Sequence, residues 1–141
     1  MTSAAGKIFR NLSIFIFIVY IYIYYLLTKI NTTSLFRDVS SVTTMEAMFR
    51  IWSNPSKISL ASWDTSKVQK MWWIFSHTHF NDDSIASWDV SSVTSITKGF
   101  ENAWSFDKDL SGWDLADGVN CDKINNGAKK FTTEKLPLKC Q

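Results

Sequence analysis

The stretch Trp88-Asp89-Val90-Ser91-Ser92-Val93-Thr94 decides the fold, because its parts recur at a fixed distance on either side. Trp63-Asp64 stands before it and Trp113-Asp114 after it, at equal intervals. Asp38 extends the series one step further back, with Arg37 in the place of tryptophan. Ahead of each tryptophan stands an aliphatic residue at one offset: Leu60, Ile85 and Leu110. After each aspartate come a serine (Ser40, Ser66, Ser91) and a valine (Val42, Val68, Val93). Met45, Met71 and Ile96 follow, and then Phe49, Phe75 and Phe100. A period of about 25 residues is the mark of a repeat architecture, in which a unit too small to bury its own apolar face stacks on its neighbours.

Each unit has a local reading. Val42, Met45, Met48, Phe49 and Trp52 share the spacing of one helical face, as do Val68, Met71, Ile74 and Phe75. The serines just ahead are suited to cap free N–H groups. Ile58-Ser59-Leu60 and Ser84 to Trp88 read as short strands, with the aspartate after tryptophan forming an Asx-type turn between strand and helix. The expectation is therefore an α/β repeat solenoid, with one short strand and one short helix per repeat, over residues 31–120. Residues 121–141 form its C-terminal cap or tail.

The combination of Trp88 to Thr94 with Met45-x-x-Met48-Phe49 and Phe80-Asn81-x-Asp83 resembles the BspA-type leucine-rich repeat, over roughly residues 36–116. That repeat belongs to surface proteins of bacteria and some protists. The resemblance implies a leucine-rich-repeat-like array displayed outside the cell for binding or adhesion, with no catalytic residues to carry over. The chain departs from the pattern in two places: Ser53 to Lys57 replace Phe-Asn-x-Asp in the first copy, and Gly99 stands where methionine is expected.

Outward from the repeats, Asn11 to Thr28 is an uncharged run, mostly Ile, Phe, Tyr, Val and Leu. At about 1.5 Å per residue it would make a helix roughly 27 Å long, close to the thickness of a hydrocarbon core. Lys7 and Arg10 outweigh Lys29, which keeps residues 1–10 cytoplasmic. The expectation is a single transmembrane helix over 11–30 that joins the protein to the membrane, in a single-pass arrangement with the C-terminal part extracellular or luminal. A cleaved signal peptide is the main rival, and a strand or core helix the third reading. Asn31-Thr32-Thr33 would be a glycosylation acceptor in a eukaryotic lumen.

Charge narrows the partners. From Asp38 to Asp122 there are twelve acidic residues against six basic, a net of −6. A nucleic-acid-binding surface needs the opposite sign, so nucleic acid is excluded as a partner. All seven tryptophans lie between Trp52 and Trp113, which gives this region the apolar bulk for a core.

Motifs that carry chemistry are few. Asp107-Lys108-Asp109-Leu110-Ser111-Gly112 resembles the opening of a calcium loop, but its twelfth position is Gly118 rather than glutamate. His77 and His79 have no further histidine or paired cysteine to complete a metal set. No phosphate loop or nucleophile elbow is present. The expectation is a non-enzymatic protein without catalytic residues, metal or cofactor. Cys121 and Cys140 would be bridged in an oxidising compartment and left as thiols in a reducing one. Trp72, Trp73 and Trp104 do not repeat across the copies, and are either core fillers or the residues that contact a partner. Two functions follow: surface binding or adhesion, and a structural accessory subunit of a larger membrane complex.

Overall fold

The computed structural model describes residues 38–52 and 59–141. Its organising feature is a parallel ladder that climbs one repeat at a time. Thr44 bridges to Lys70, Lys70 to Ser95, and Ser95 to Asn120, so that each step advances one repeat along the chain. Four successive coils are thereby stacked.

Each bridge opens a row of consecutive tight turns, and the backbone pairing within a row is regular. In the first row the amides of Met45, Ala47, Phe49 and Ile51 donate to the carbonyls of Lys70, Trp72, Ile74 and Ser76 in the next coil. The amides between them, of Met48, Arg50 and Trp52, donate three residues back within their own coil. The second row repeats this from Met71 to His77, and the third from Ile96 to Asn102. Backbone polar groups need partners when they are removed from water, and alternation between an in-coil and a between-coil partner supplies them.

The alternation requires a left-handed residue at every fourth position. Ala47 and Ile51, Trp73 and His77, and Lys98 and Asn102 all have φ between 52° and 60°. Lys123 and Gly127 continue the series with φ of 53° and 74°. Side chains consequently point inward and outward in pairs. Met45, Met48 and Phe49 are buried, whereas Arg50 and Ile51 are exposed.

These findings correct the expected α/β solenoid. Among the described residues there is no α-helix and no strand, only isolated bridges and three short 3-10 helices, at Asp83–Ser87, Thr133–Lys135 and Leu138–Cys140. The helices expected from the Val42-to-Trp52 pattern are turn rows. The physical reason is that a left-handed residue every fourth position ends any run of helical φ,ψ. The strand expected from Ser84 to Trp88 is the first of the 3-10 helices, held by Asp82, whose Oδ1 accepts from the Ser84 amide at 2.7 Å. The strand expected at Ile58 falls in part outside the described residues.

The expected transmembrane helix over 11–30, and Asn31, also lie outside the described residues. Among the described residues no helix is long and apolar enough to cross a membrane. The turn rows of residues 38–52 and 59–141 take their backbone partners from neighbouring coils, which is not the self-contained pairing of a spanning helix. The membrane as a partner, the single-pass arrangement and the extracellular or luminal placement that depended on that helix are corrected with it.

Stacking is carried by columns of side chains. Phe49 and Phe75 lie 5.2 Å apart, and Phe75 and Phe100 5.4 Å. Trp63, Trp88 and Trp113 form a second column with centroid separations of 6.1 and 6.3 Å. The indole N–H of Trp88 donates to the Leu60 carbonyl, and that of Trp113 to the Ile85 carbonyl, both at 3.0 Å. Phe80, Phe106 and Phe131 make a third column, which brings the C-terminal segment into the same core. The segment is therefore a fourth coil. Cys121 and Cys140 are bonded across it.

Candidate binding face

The pairs at the left-handed positions of the turn rows form two bands. Glu46/Ala47, Trp72/Trp73 and Thr97/Lys98 form one, and Arg50/Ile51, Ser76/His77 and Glu101/Asn102 the next, with Ser76 itself fully buried. Their positions follow from the left-handed residue in each pair, which swings two successive side chains to the same side.

In the first band the tryptophans are already engaged. Trp73 has the guanidinium of Arg50 at 5.7 Å and the ammonium of Lys98 at 5.9 Å from its ring centre, one cation from each neighbouring coil. Trp72 lies under Lys70 at 5.1 Å and donates its indole N–H to Ser95 Oγ. The two rings meet at 86°. Lys98 also approaches Glu101 at 3.7 Å. Cation–π contacts of this kind are worth about 0.5–1 kcal/mol each at exposed sites, so the band is a brace between coils.

The second band is built differently. His77 has both ring nitrogens occupied, Nδ1 by Ser76 Oγ at 2.7 Å and Nε2 by Asn102 Nδ2 at 3.1 Å. His79 has Nδ1 within 3.0 Å of Ser105 Oγ. Between these imidazoles stands Trp104, 5.9 Å from His77 and 5.3 Å from His79, with 47% of its surface exposed. Its amide donates to Thr78 O at 3.2 Å, which ties this stretch of backbone to the preceding coil. Thr78 is in turn anchored by its hydroxyl to the Trp52 carbonyl. Trp104 is thus a half-exposed ring flanked by two imidazoles and a serine hydroxyl.

Of the three tryptophans singled out in the sequence, the structure separates Trp104 from the other two. It joins Trp72 to Trp73, adds Arg50, Lys70, Lys98 and Asn102, which sequence reasoning left out, and sets His77 and His79, weighed there only as metal ligands, against Trp104. The repeat register held the signal for part of this, since Asn102 stands one period after His77.

Another side of the stack is acidic. Asp38, Asp64 and Asp89 each accept two bonds from the serine two residues on, from its amide at 3.0–3.1 Å and its hydroxyl at 2.6 Å. These hydroxyl and amide donors hold the three carboxyls below the usual aspartate range. Lys139 closes the column, 3.4 Å from Asp114 and 2.8 Å from Asp117. The carboxylate of Asp117 raises the Lys139 ammonium above its ordinary value. Among the described residues no group of three or more His, Cys, Asp or Glu side chains is placed to hold a metal ion. The Asp107–Gly112 segment is used otherwise: the Asp107 amide donates to Asn81 Oδ1, and Asp109 accepts from the Ser111 amide.

Comparison with known proteins places this stack. Residues 22–137 match the family described as "Mycoplasma protein of unknown function, DUF285". The chain belongs to the DUF285 family. The match takes in all four turn rows, so the coil of this DUF285 chain is the unit just described. No curated protein and no solved structure matches it.

Proposed function

We propose that this DUF285 chain is a non-enzymatic binding or adhesion module, and that the face around Trp104 receives the ligand. Trp104 carries the reading. A half-exposed indole bordered by His77, His79 and Ser105 offers a flat apolar surface with hydrogen-bonding groups at its edge. Rigid aromatic rings with polar tips are the groups that carry most contact energy at low entropic cost. The likeness of the repeat motifs to BspA-type surface repeats supports the same class of function.

The test is an array of immobilised glycans and matrix proteins probed with the whole chain and with Trp104→Ala. Binding of the wild type to an array member, reduced at least tenfold in Trp104→Ala with an unchanged melting temperature, is the expected result; roughly 2 kcal/mol or more is usual for such an anchor. Equal binding by both proteins, or none by the wild type, overturns the reading.

A further inference from the structure

The register between the second and third coils slips by one residue, and Trp104 lies at the slip. Before it the coils pair residues 25 apart, as His77 does with Asn102. After it they pair residues 26 apart: His79 with Ser105, Asn81 with Asp107 and Phe80 with Phe106. The core shows the same step. Phe75 packs on Phe80 at 4.2 Å and Phe100 on Phe106 at 4.6 Å, but the third coil takes one residue more to make the connection. Trp104 and Ser105 therefore stand opposite the single His79.

An extra residue on one of two paired segments re-aims a side chain, and such insertions recur beside functional sites. Here the re-aimed side chain is the bulkiest of all. Ala103 and Phe106 on either side are fully buried, whereas Trp104 has 47% of its surface exposed. Stacking does not require the insertion, since the second coil joins the same two phenylalanine positions without it.

The surroundings select the ligand. Among the described residues no ammonium or guanidinium lies over the Trp104 ring, in contrast to Trp72 and Trp73. The side chains around it are His77, His79, Asn102 and Ser105, which offer donors and acceptors together and include no carboxylate, ammonium or guanidinium. His79 is itself exposed, and its Nε2 has no partner among the described residues. A pyranose matches this arrangement: one face of the sugar is C–H, and its edge carries hydroxyls that both donate and accept. An anionic ligand would find no cation against this ring, and an apolar side chain would meet a single flat ring rather than a pocket.

Granted that Trp104 receives the ligand, we propose that its face takes a neutral hexose unit of a glycan, the C–H face stacked on the indole and the hydroxyls bonded to His79 and Ser105.

The test is a titration of the whole isotope-labelled chain with lactose, maltotetraose and chitotetraose, read by NMR at the Trp104 indole N–H, with calorimetry of the variants. At least one sugar should shift that resonance saturably, with an affinity that a roughly tenfold rise in salt leaves unchanged, since no charge is paired. Trp104→Ala should weaken binding roughly tenfold or more, whereas Trp104→Phe keeps most of it and Ser105→Ala loses a part. Melting temperatures equal to that of the wild type separate these effects from misfolding. No shift with any of the three sugars overturns the proposal, as does sugar binding that salt abolishes. If a matrix protein binds and Trp104→Ala releases it while no sugar acts, the glycan falls and Trp104 remains the contact residue. Binding of any ligand equally by wild type and Trp104→Ala removes both.

Discussion

Phe49 and Phe75 lie a full repeat apart in the chain, yet their rings are parallel within 4° and 5.2 Å apart. No local interaction could align them. The alignment comes from the ladder, in which the Phe49 amide donates to the Ile74 carbonyl beside Phe75. Phe75 also packs on Phe80 at 4.2 Å, Trp88 at 6.0 Å and Phe100 at 5.4 Å, so it joins three coils at one point.

Phe75→Ala should therefore be severe. A buried Phe→Ala change costs about 3–5 kcal/mol, a large share of the 5–15 kcal/mol that holds an ordinary domain. Lys67, exposed at the coil edge, should move stability by no more than about 0.5 kcal/mol when changed to alanine. Urea titrations of both variants followed by tryptophan fluorescence decide it. Equal, small shifts would mean that the coils do not share a core.

The Cys121–Cys140 bridge closes the fourth coil on itself, with a sequence separation of 19. In the chain-entropy account a loop of this size contributes roughly 3 kcal/mol by restricting the unfolded chain. Reduction, or the Cys121→Ser/Cys140→Ser pair, should lower the denaturation midpoint and loosen this coil first. Hydrogen exchange should show loss of protection at Ile124, Ala128 and Phe131, whose amides bond within the coil, before loss at the second row. Uniform loss of protection along the chain would contradict this.

Acid should weaken the stack through its aspartate turns. Asp38, Asp64, Asp89 and Asp109 are held below the ordinary value, first by the hydroxyl of the following serine and then by its amide. Each has a lower pKa folded than unfolded. Its contribution is thus complete above the ordinary value of about 3.9 and is lost as the pH falls through the folded values. These groups are exposed, so each effect is small. The Asp64→Asn/Asp89→Asn/Asp109→Asn variant keeps an acceptor oxygen in each turn but cannot titrate. Its urea midpoint should fall less steeply than that of the wild type between about pH 4 and pH 2. Parallel profiles would show that the turns do not account for acid sensitivity.

Lys123 is exposed and left-handed, with φ of 53°. The left-handed region costs a residue with a Cβ roughly 1–2 kcal/mol, whereas glycine there gives up about 0.5–1 kcal/mol of chain entropy. Lys123→Gly should consequently be neutral or stabilising by up to about 1 kcal/mol, and Lys123→Val clearly destabilising, since a β-branched residue is worst placed at positive φ. Melting temperatures ranked Gly, Lys, Val in descending order are expected. Valine equal to glycine would refute the left-handed turn row.

The repeat period, the columns of Phe49, Phe75 and Phe100, and a turn at each repeated aspartate were open to reading from the sequence, because each depends on a residue's type and its distance to the next copy; the serines, read as caps for helix N–H groups, instead donate to the aspartate two residues back. Trp104 was visible as a tryptophan without a repeat partner. Its setting between His77 and His79 was not, since those residues are brought to it by the offset between coils.

Secondary structure was decided by the tertiary structure alone. Buried positions 45, 48 and 49 followed by the half-buried 52 have the spacing of a helical face, and the turn row that actually forms puts the same residues inward. The two differ in where alternate amides find their acceptors: four residues back in a helix, a whole coil ahead here. Side-chain spacing by itself determined which residues form the core and how often they recur. The choice between helix and turn ladder rested on hydrogen-bond partners a full repeat away, which exist only once the coils are stacked.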